Sequence, residues 1–274
     1  MERRLFCEIS PLAYQLSTWK EIGKRALQDL VSREKFASVQ ADSLLPVTVK
    51  SHSSLIRRKL GGTGQLLQEN KAVNLALAAP HVDKILIRPG ETFSFWRLVG
   101  NCTARKGYRE GLTIRNGVPS SGIGGGMCQF TNLIHWMVLH SPLTVTEHHH
   151  HNGVDLFPDF GRKVPFGSGT SILYNYRDYR FRNDTAQPFQ LVIWLDEQFF
   201  NGELRTTAPL QESFHIREEE SWFTREPDGV YRHNKLFRRV CLKSTGKILS
   251  DELLLENYAK VVYDPALIAP ECFR

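Results

Sequence analysis

Gly122-Ile-Gly-Gly-Gly-Met-Cys-Gln129 runs directly into Phe130-Thr-Asn-Leu-Ile-His-Trp-Met-Val-Leu-His140. No other stretch constrains the fold as tightly. Glycines are costly inside helices and cheap in turns, so the run predicts a tight turn feeding a largely apolar, buried helix. Cys128 then falls in the first helical turn, where unpaired N–H groups and the positive end of the helix dipole gather. A thiol in that place is expected to titrate below its free value. Gly125 and Gly126 allow backbone to approach a ligand closely. Gln129 and the Cys128 N–H could face a developing oxyanion. For Gln129 a solvated helix edge is the competing reading, and for Cys128 a small packing thiol.

Glu147-His-His-His-His151 follows within twenty residues. On a strand, His149 and His151 share one face, and His148 and His150 the other. Cys128 as nucleophile, His149 or His151 as base, and Asp155, Asn152 or Glu147 as orienting group would make a thiol–imidazole site. The same Cys128, His149 and His151 could instead hold zinc, although no close ligand spacing supports it, and the leading reading needs no cofactor. The plainer alternative is a solvated strand end. His135 lies two turns along the helix from Cys128, too far up the axis to touch the thiol.

The chain has 274 residues and a formal charge of +6, from 35 basic and 29 acidic residues. That excess is small and scattered, with Arg57-Arg58-Lys59 and Arg238-Arg239 reading as solvated faces, so nucleic acid is not implied. The five cysteines are far apart and odd in number, which argues against a disulfide framework and for a reducing compartment. The N-terminus lacks a signal-like apolar region, and no apolar run would span a bilayer. A soluble, cytoplasmic protein is expected.

Hydrophobic periodicity predicts helices over 18–38, with Ser17 or Thr18 as cap, and over 65–79, stopped by Pro80. Arg57 to Gly64 reads as a link. Strands are predicted over 45–52, on both sides of the Pro89-Gly90 turn, and as a hairpin about Asn116-Gly117. Further strands are predicted over 143–147, 170–176, 178–182, 189–195 and 202–207, with a loop over 157–169. Short strands over 212–263 would include a turn at Asp228-Gly229. The fold class is α+β: N-terminal helices, a mixed or antiparallel sheet around the Cys128 helix, and a β-rich C-terminal part. The expected divisions are 1–64, 65–200 and 201–274.

Two further clusters stand out. Glu91, Phe93, Phe95 and Trp96 read as core beside a turn carboxylate, or as the wall of a peptide or glycan pocket. Arg180 and Arg182 share a strand face, either solvated or suited to a carboxylate.

Arg88-Pro-Gly-Glu-Thr-Phe-Ser-Phe95, Gly124-Gly-Gly-Met-Cys-Gln129 and Asp178-Tyr-Arg-Phe-Arg-Asn-Asp-Thr185, in that order, resemble the VanW family. The family is named for an accessory protein of vancomycin B-type resistance gene clusters, and the likeness covers roughly residues 65 to 195. The chain is similar to the family's short form rather than to its long, membrane-anchored members. The resemblance implies a cell-envelope or glycopeptide-resistance context and brings no established reaction. Glu147, His149 and His151 match the family's spacing. Gly169 stands where many members carry Asp, which removes one candidate for a third catalytic group. The leading expectation is a thiol-dependent hydrolase or transferase acting on an amide or peptide, with a cell-wall precursor as the ligand. Its substrate contacts would be Gly125, Gly126, Gln129, Glu91 and Arg180. The alternatives are a non-catalytic envelope-ligand binder and a zinc protein.

Overall fold

The computed structural model describes residues 5–57, 65–115, 118–150, 153–159 and 164–274. The chain opens with helix α1 (Pro11–Val31), strand β1 (Lys35–Phe36) and strand β2 (Val47–Leu55). Helix α2 (Gln65–Ala78) leads to β3 (Leu86–Ile87), β4 (Glu91–Ser94) and the short α3 (Phe95–Val99). A hairpin of β5 (Glu110–Arg115) and β6 (Val118–Ile123) feeds α4 (Met127–Leu139). Then come β7 (Thr144–Glu147), β8 (Val154–Asp155), β9 (Arg180–Arg182), β10 (Phe189–Leu195) and β11 (Phe199–Thr206). Three long strands follow: β12 (Glu212–Glu226), β13 (Gly229–Leu242) and β14 (Ile248–Val261). The fold is α+β with a β-rich C-terminal part, as the sequence predicts.

α4 is the axis of the core. On one side lies an antiparallel sheet of order β2–β11–β10–β3. Phe130 meets Phe200 of β11 edge-on at 4.7 Å. Gly202 of β11 makes room for the helix, because a Cβ there would fall 2.8 Å from Met137 and 3.0 Å from Leu133. A second sheet has the order β1–β4–β9–β7, with β1 parallel to β4 and the other pairs antiparallel. Its Phe93 and Phe181 stack at 4.7 Å, and Phe95, just beyond β4, sits edge-on to Phe130 at 5.2 Å. β2 and β11 lie far apart in the chain and pair along their length, so the N-terminal region contributes strands as well as α1.

The third sheet, β12–β13–β14–β8, carries its own small core of Phe223, Val230, Val261 and Ile268. Arg238 ties it to α4 by donating to the carbonyls of Leu139 at 3.0 Å and Ser141 at 2.5 Å. A cation suits that helix end, where carbonyls lack partners and the dipole is negative. Arg238 is therefore a helix cap rather than part of a solvated face, whereas Arg239 pairs with Asp251 at 2.5 Å.

Several boundaries differ from the sequence expectation. α1 starts at Pro11 because Ser10 accepts the Ala13 N–H at 3.1 Å and proline suits the first helical position. Thr18 is inside the helix and bonds back to the Tyr14 carbonyl at 2.9 Å. The stretch 170–176 is irregular, with a bridge from Leu173 to Arg177. Its polar groups go elsewhere: the Thr170 N–H to Asn132 at 2.6 Å and the Ser171 N–H to the His149 carbonyl at 2.7 Å. The C-terminal strands are long, at 15, 14 and 14 residues, and β12 turns into β13 at Asp228-Gly229. Asn116-Gly117 lies outside the described residues, but Arg115 pairs with Val118 directly across it. Among the described residues no helix is long and apolar enough to cross a membrane.

Candidate functional site

The glycine turn is filled by protein. A Cβ on Gly125 would lie 2.3 Å from the Gly111 carbonyl carbon, one on Gly124 2.5 Å from Cys102, and one on Gly126 2.6 Å from Lys71. Gly124 and Gly126 also hold positive φ, 79° and 117°, which favours glycine. Asn74 of α2 donates to the Gly125 and Arg109 carbonyls at 2.8 and 2.9 Å. The glycines thus let β5, α2 and the start of α4 cross at close range, instead of opening backbone to a ligand as the sequence suggests. Gln129 is likewise committed: its amide donates to Ser54 and to the Leu55 carbonyl of β2 at 2.9 and 3.0 Å. Glu91 closes its own turn by accepting the Arg88 N–H at 2.9 Å.

Cys128 stands in the first turn of α4, and its side chain packs against the core. The thiol is pushed up from its ordinary value by burial, while the N–H groups of Ile172 and of Cys128 itself pull the other way. Donors are present at the helix start, as expected, but desolvation outweighs them. Among the described residues no imidazole hydrogen-bonds to this sulfur.

His149 is separated from its neighbours: His148 turns towards α4, and His150 packs against His148. The His148 ring lies 4.1 Å from that of His135 and 4.0 Å from that of His150. His135 is buried and bonds Tyr179 Oη through Nδ1 at 3.0 Å. His148 Nε2 meets the Gly169 carbonyl at 3.1 Å, and His150 Nδ1 the Gly167 carbonyl at 3.2 Å. Each of those nitrogens must carry the proton, since a carbonyl only accepts. Burial depresses His135 well below its ordinary value and His148 to about 4, and also lowers His150. These rings are neutral at neutral pH and are weak bases. Gly169, where a side chain would point towards Asn132, lies against this cluster.

His149 points away to Glu147, Nε2 to Oε1 at 2.9 Å. The same oxygen accepts from Arg25 of α1 at 2.7 Å and from the Asp178 N–H at 2.8 Å. Next to it lies Arg180, buried, its fork bidentate on Asp29 at 2.8 Å and its Nε on Asp178 at 2.9 Å. Its guanidinium, expected to be a substrate contact, is engaged internally. Burial would raise Asp29, yet Arg180, Arg97 and Arg25 hold it below the usual carboxylate range. Asp178 also accepts from Ser94 at 2.5 Å and from the Trp96 N–H at 3.0 Å. Asp155, expected as an orienting group, is buried in the third sheet, 3.4 Å from Arg232 and 3.1 Å from Tyr263 Oη. His151 and Asn152 lie outside the described residues. Among the described residues no group of three His, Cys, Asp or Glu could hold a metal ion.

The sequence reading missed Asp29, Arg25, Ser94 and Asp178 as partners of one network. Asp178 and Ser94 stood in the quoted motifs, but only the fold brings them to α1.

These features define an α+β protein in which a glycine-bounded helix is held between two sheets and a buried arginine–carboxylate network fastens the first helix. A family model described as "VanW like protein" matches residues 70–205. The chain is 34% identical over 228 residues to the vancomycin B-type resistance protein VanW of Enterococcus faecalis (strain ATCC 700802 / V583), covering 83% of this chain and 82% of that protein. It is 31% identical over 123 residues to the uncharacterized protein YoaR of Bacillus subtilis (strain 168), covering 44% of this chain and 38% of that protein. No solved structure matches it. The chain belongs to the VanW family.

Gly125→Ala is expected to lower stability by about 3 kcal/mol or more, because its Cβ meets backbone that cannot yield. Gly23→Ala, where a Cβ meets nothing within 4 Å, is expected to be neutral or stabilising; thermal melts of both variants check this.

The histidine cluster sets a pH dependence. A folded pKa depressed to about 4 for His148 gives stability that is present above the unfolded value of about 6.5 and lost as pH falls towards 4. The loss from this ring is on the order of 3 kcal/mol. Melting temperatures measured from neutral pH down to pH 4 should fall less steeply for His148→Gln than for the parent.

Proposed function

We propose that this chain is an accessory protein of glycopeptide resistance that works by binding an envelope ligand, a peptide or small molecule such as a cell-wall precursor. The resistance context rests on the likeness to the Enterococcus faecalis protein. Binding rather than thiol catalysis rests on one observation above all. The Cys128 thiol packs against the core, where burial pushes it up from its ordinary value, and no imidazole among the described residues hydrogen-bonds to it, while His149 is occupied by Glu147. A thiol nucleophile needs a base within hydrogen-bond reach or a depressed pKa.

A cleft of about 230 Å³ between β2 and the start of β12 supports the binding reading. Val49, Leu210 and Phe214 give it apolar walls, and Lys50, Lys243 and Glu212 give it charge. Lys50 and Lys243 in the lining suit a carboxylate-ended ligand. His140 also lines it; burial lowers this ring to about 4, and its Nδ1 donates to the Trp136 carbonyl at 2.8 Å.

The thiol-transfer reading keeps one observation in its favour, the Ile172 N–H aimed at the Cys128 sulfur. Two measurements separate the readings. Cys128→Ala is expected to preserve resistance when it replaces the parent gene in its host. A mild alkylating agent at neutral pH should label the exposed Cys272 before Cys128. Loss of resistance in a folded Cys128→Ala protein, together with first labelling at Cys128, would restore the nucleophile.

A further inference from the structure

α1 is packed the wrong way round for an ordinary surface helix. A helix lying on a globular body usually buries its apolar stripe and shows water its polar face. Here the face against the body carries Arg25 and Asp29, bonded to Glu147 and Arg180 at 2.7 and 2.8 Å, with half-buried Ser17, Thr18, Glu21 and Ile22 beside them and Ala13 buried near the start of the helix. The opposite face carries Leu12, Leu16, Trp19, Ala26, Leu27 and Leu30, all exposed. Leu12, Trp19 and Leu30 are 64%, 63% and 81% exposed. At about 100° per residue these six fall within a stripe roughly 100° wide, running the length of the helix. Ile9 continues it past the N-terminal end, also exposed. Side chains of this size in a continuous row mark an interaction surface.

The charges beside the stripe point to its occupant. Lys20 and Lys24 lie along one side of it, and Arg33 and Lys35 follow the end of the helix; all four are exposed, and among the described residues none is in an ion pair. The carboxylates of this region are turned the other way: Asp29 bonds Arg180, and Glu34 accepts from Thr92 at 2.7 Å. An apolar face with a tryptophan and unpaired lysines at its rim is the pattern of a helix that lies in a bilayer interface. A second copy docked on the same stripe would meet a rim of its own sign, without acids to offset it.

We propose that α1 is an interfacial anchor that lays its outward face into an anionic lipid surface, holding the rest of the chain beside the membrane without spanning it. The polar inward face is what leaves the apolar face free to do this. The proposal does not depend on the ligand of the cleft or on the role of Cys128.

The test is co-sedimentation of the full chain with vesicles of phosphatidylcholine containing phosphatidylglycerol, and with vesicles of phosphatidylcholine alone. Binding is expected to the anionic vesicles, to weaken with added salt, and to be slight on the neutral ones. Lys20→Gln with Lys24→Gln should weaken it roughly thirtyfold, at about fivefold per lysine near such a surface. Leu16→Ser with Leu30→Ser should abolish it. Both double variants should melt as the parent does, because these side chains are exposed. Equal pelleting of the parent with and without anionic lipid would overturn the proposal, as would undiminished binding by the leucine double variant. A parent that ignores vesicles but sediments as a dimer, and becomes monomeric in the leucine double variant, would assign the stripe to a second copy and reject the membrane.

Discussion

The guanidinium of Arg180 is the contact on which the arrangement around α1 depends. It is buried, bidentate on Asp29 of α1, bonded to Asp178 and 3.6 Å from Glu147 of β7. With Glu34 at 3.9 Å, four carboxylates therefore share one fixed cation. Removing one partner of such a buried set is costly, on the order of 3–5 kcal/mol, because the remaining charges stay desolvated. The network also decides orientation. It takes hold of the polar side of α1, so the apolar side is left facing out. Helix packing by apolar burial alone would give the reverse.

The same network explains why the conspicuous residues do not assemble a thiol site. Glu147 satisfies Arg25, the Asp178 N–H and His149 through one oxygen, which draws His149 towards α1 and away from α4. His148 then falls on the α4 side with its ring tilted against His135, and His150 meets His148 edge-on, all three as neutral rings. Cys128 is left among core side chains with backbone donors for company. A helix start stabilises a thiolate only while water or another polar group shares the task, and here burial is the larger effect.

Much of the fold was legible because it rests on local signals. Pro80 stops α2, Pro89-Gly90 turns β3 into β4, and the alternation over 189–195 gives β10. The start of α1 is written in Ser10-Pro11, a cap followed by a proline at the first helical position, whereas the apolar spacing becomes regular only further along. The stretch 170–176 has the β-branched and aromatic residues of a strand, yet its polar groups bond to Asn132 and to the His149 carbonyl instead of a ladder. That outcome depends on partners dozens of residues away. The site was less legible for the same reason. Strand alternation separates His149 from its neighbours but does not say which face meets α4. A glycine run signals close approach but not whether a ligand or Gly111 is what approaches. Arg180 reads equally well as a ligand contact or an internal cation until Asp29 is placed beside it.

The central claim is that ion pairs, not apolar burial, fasten α1 to the body, and hydrogen exchange measured by mass spectrometry tests it most directly. In Asp29→Ala the bidentate contact to Arg180 is gone while the core around α4 is untouched. Amides of α1 are then expected to exchange roughly a hundredfold faster than in the parent, the equivalent of about 3 kcal/mol, while those of α4 keep their protection. Unchanged protection across α1 in that variant would contradict the account and mean that the helix is held by its apolar contacts after all.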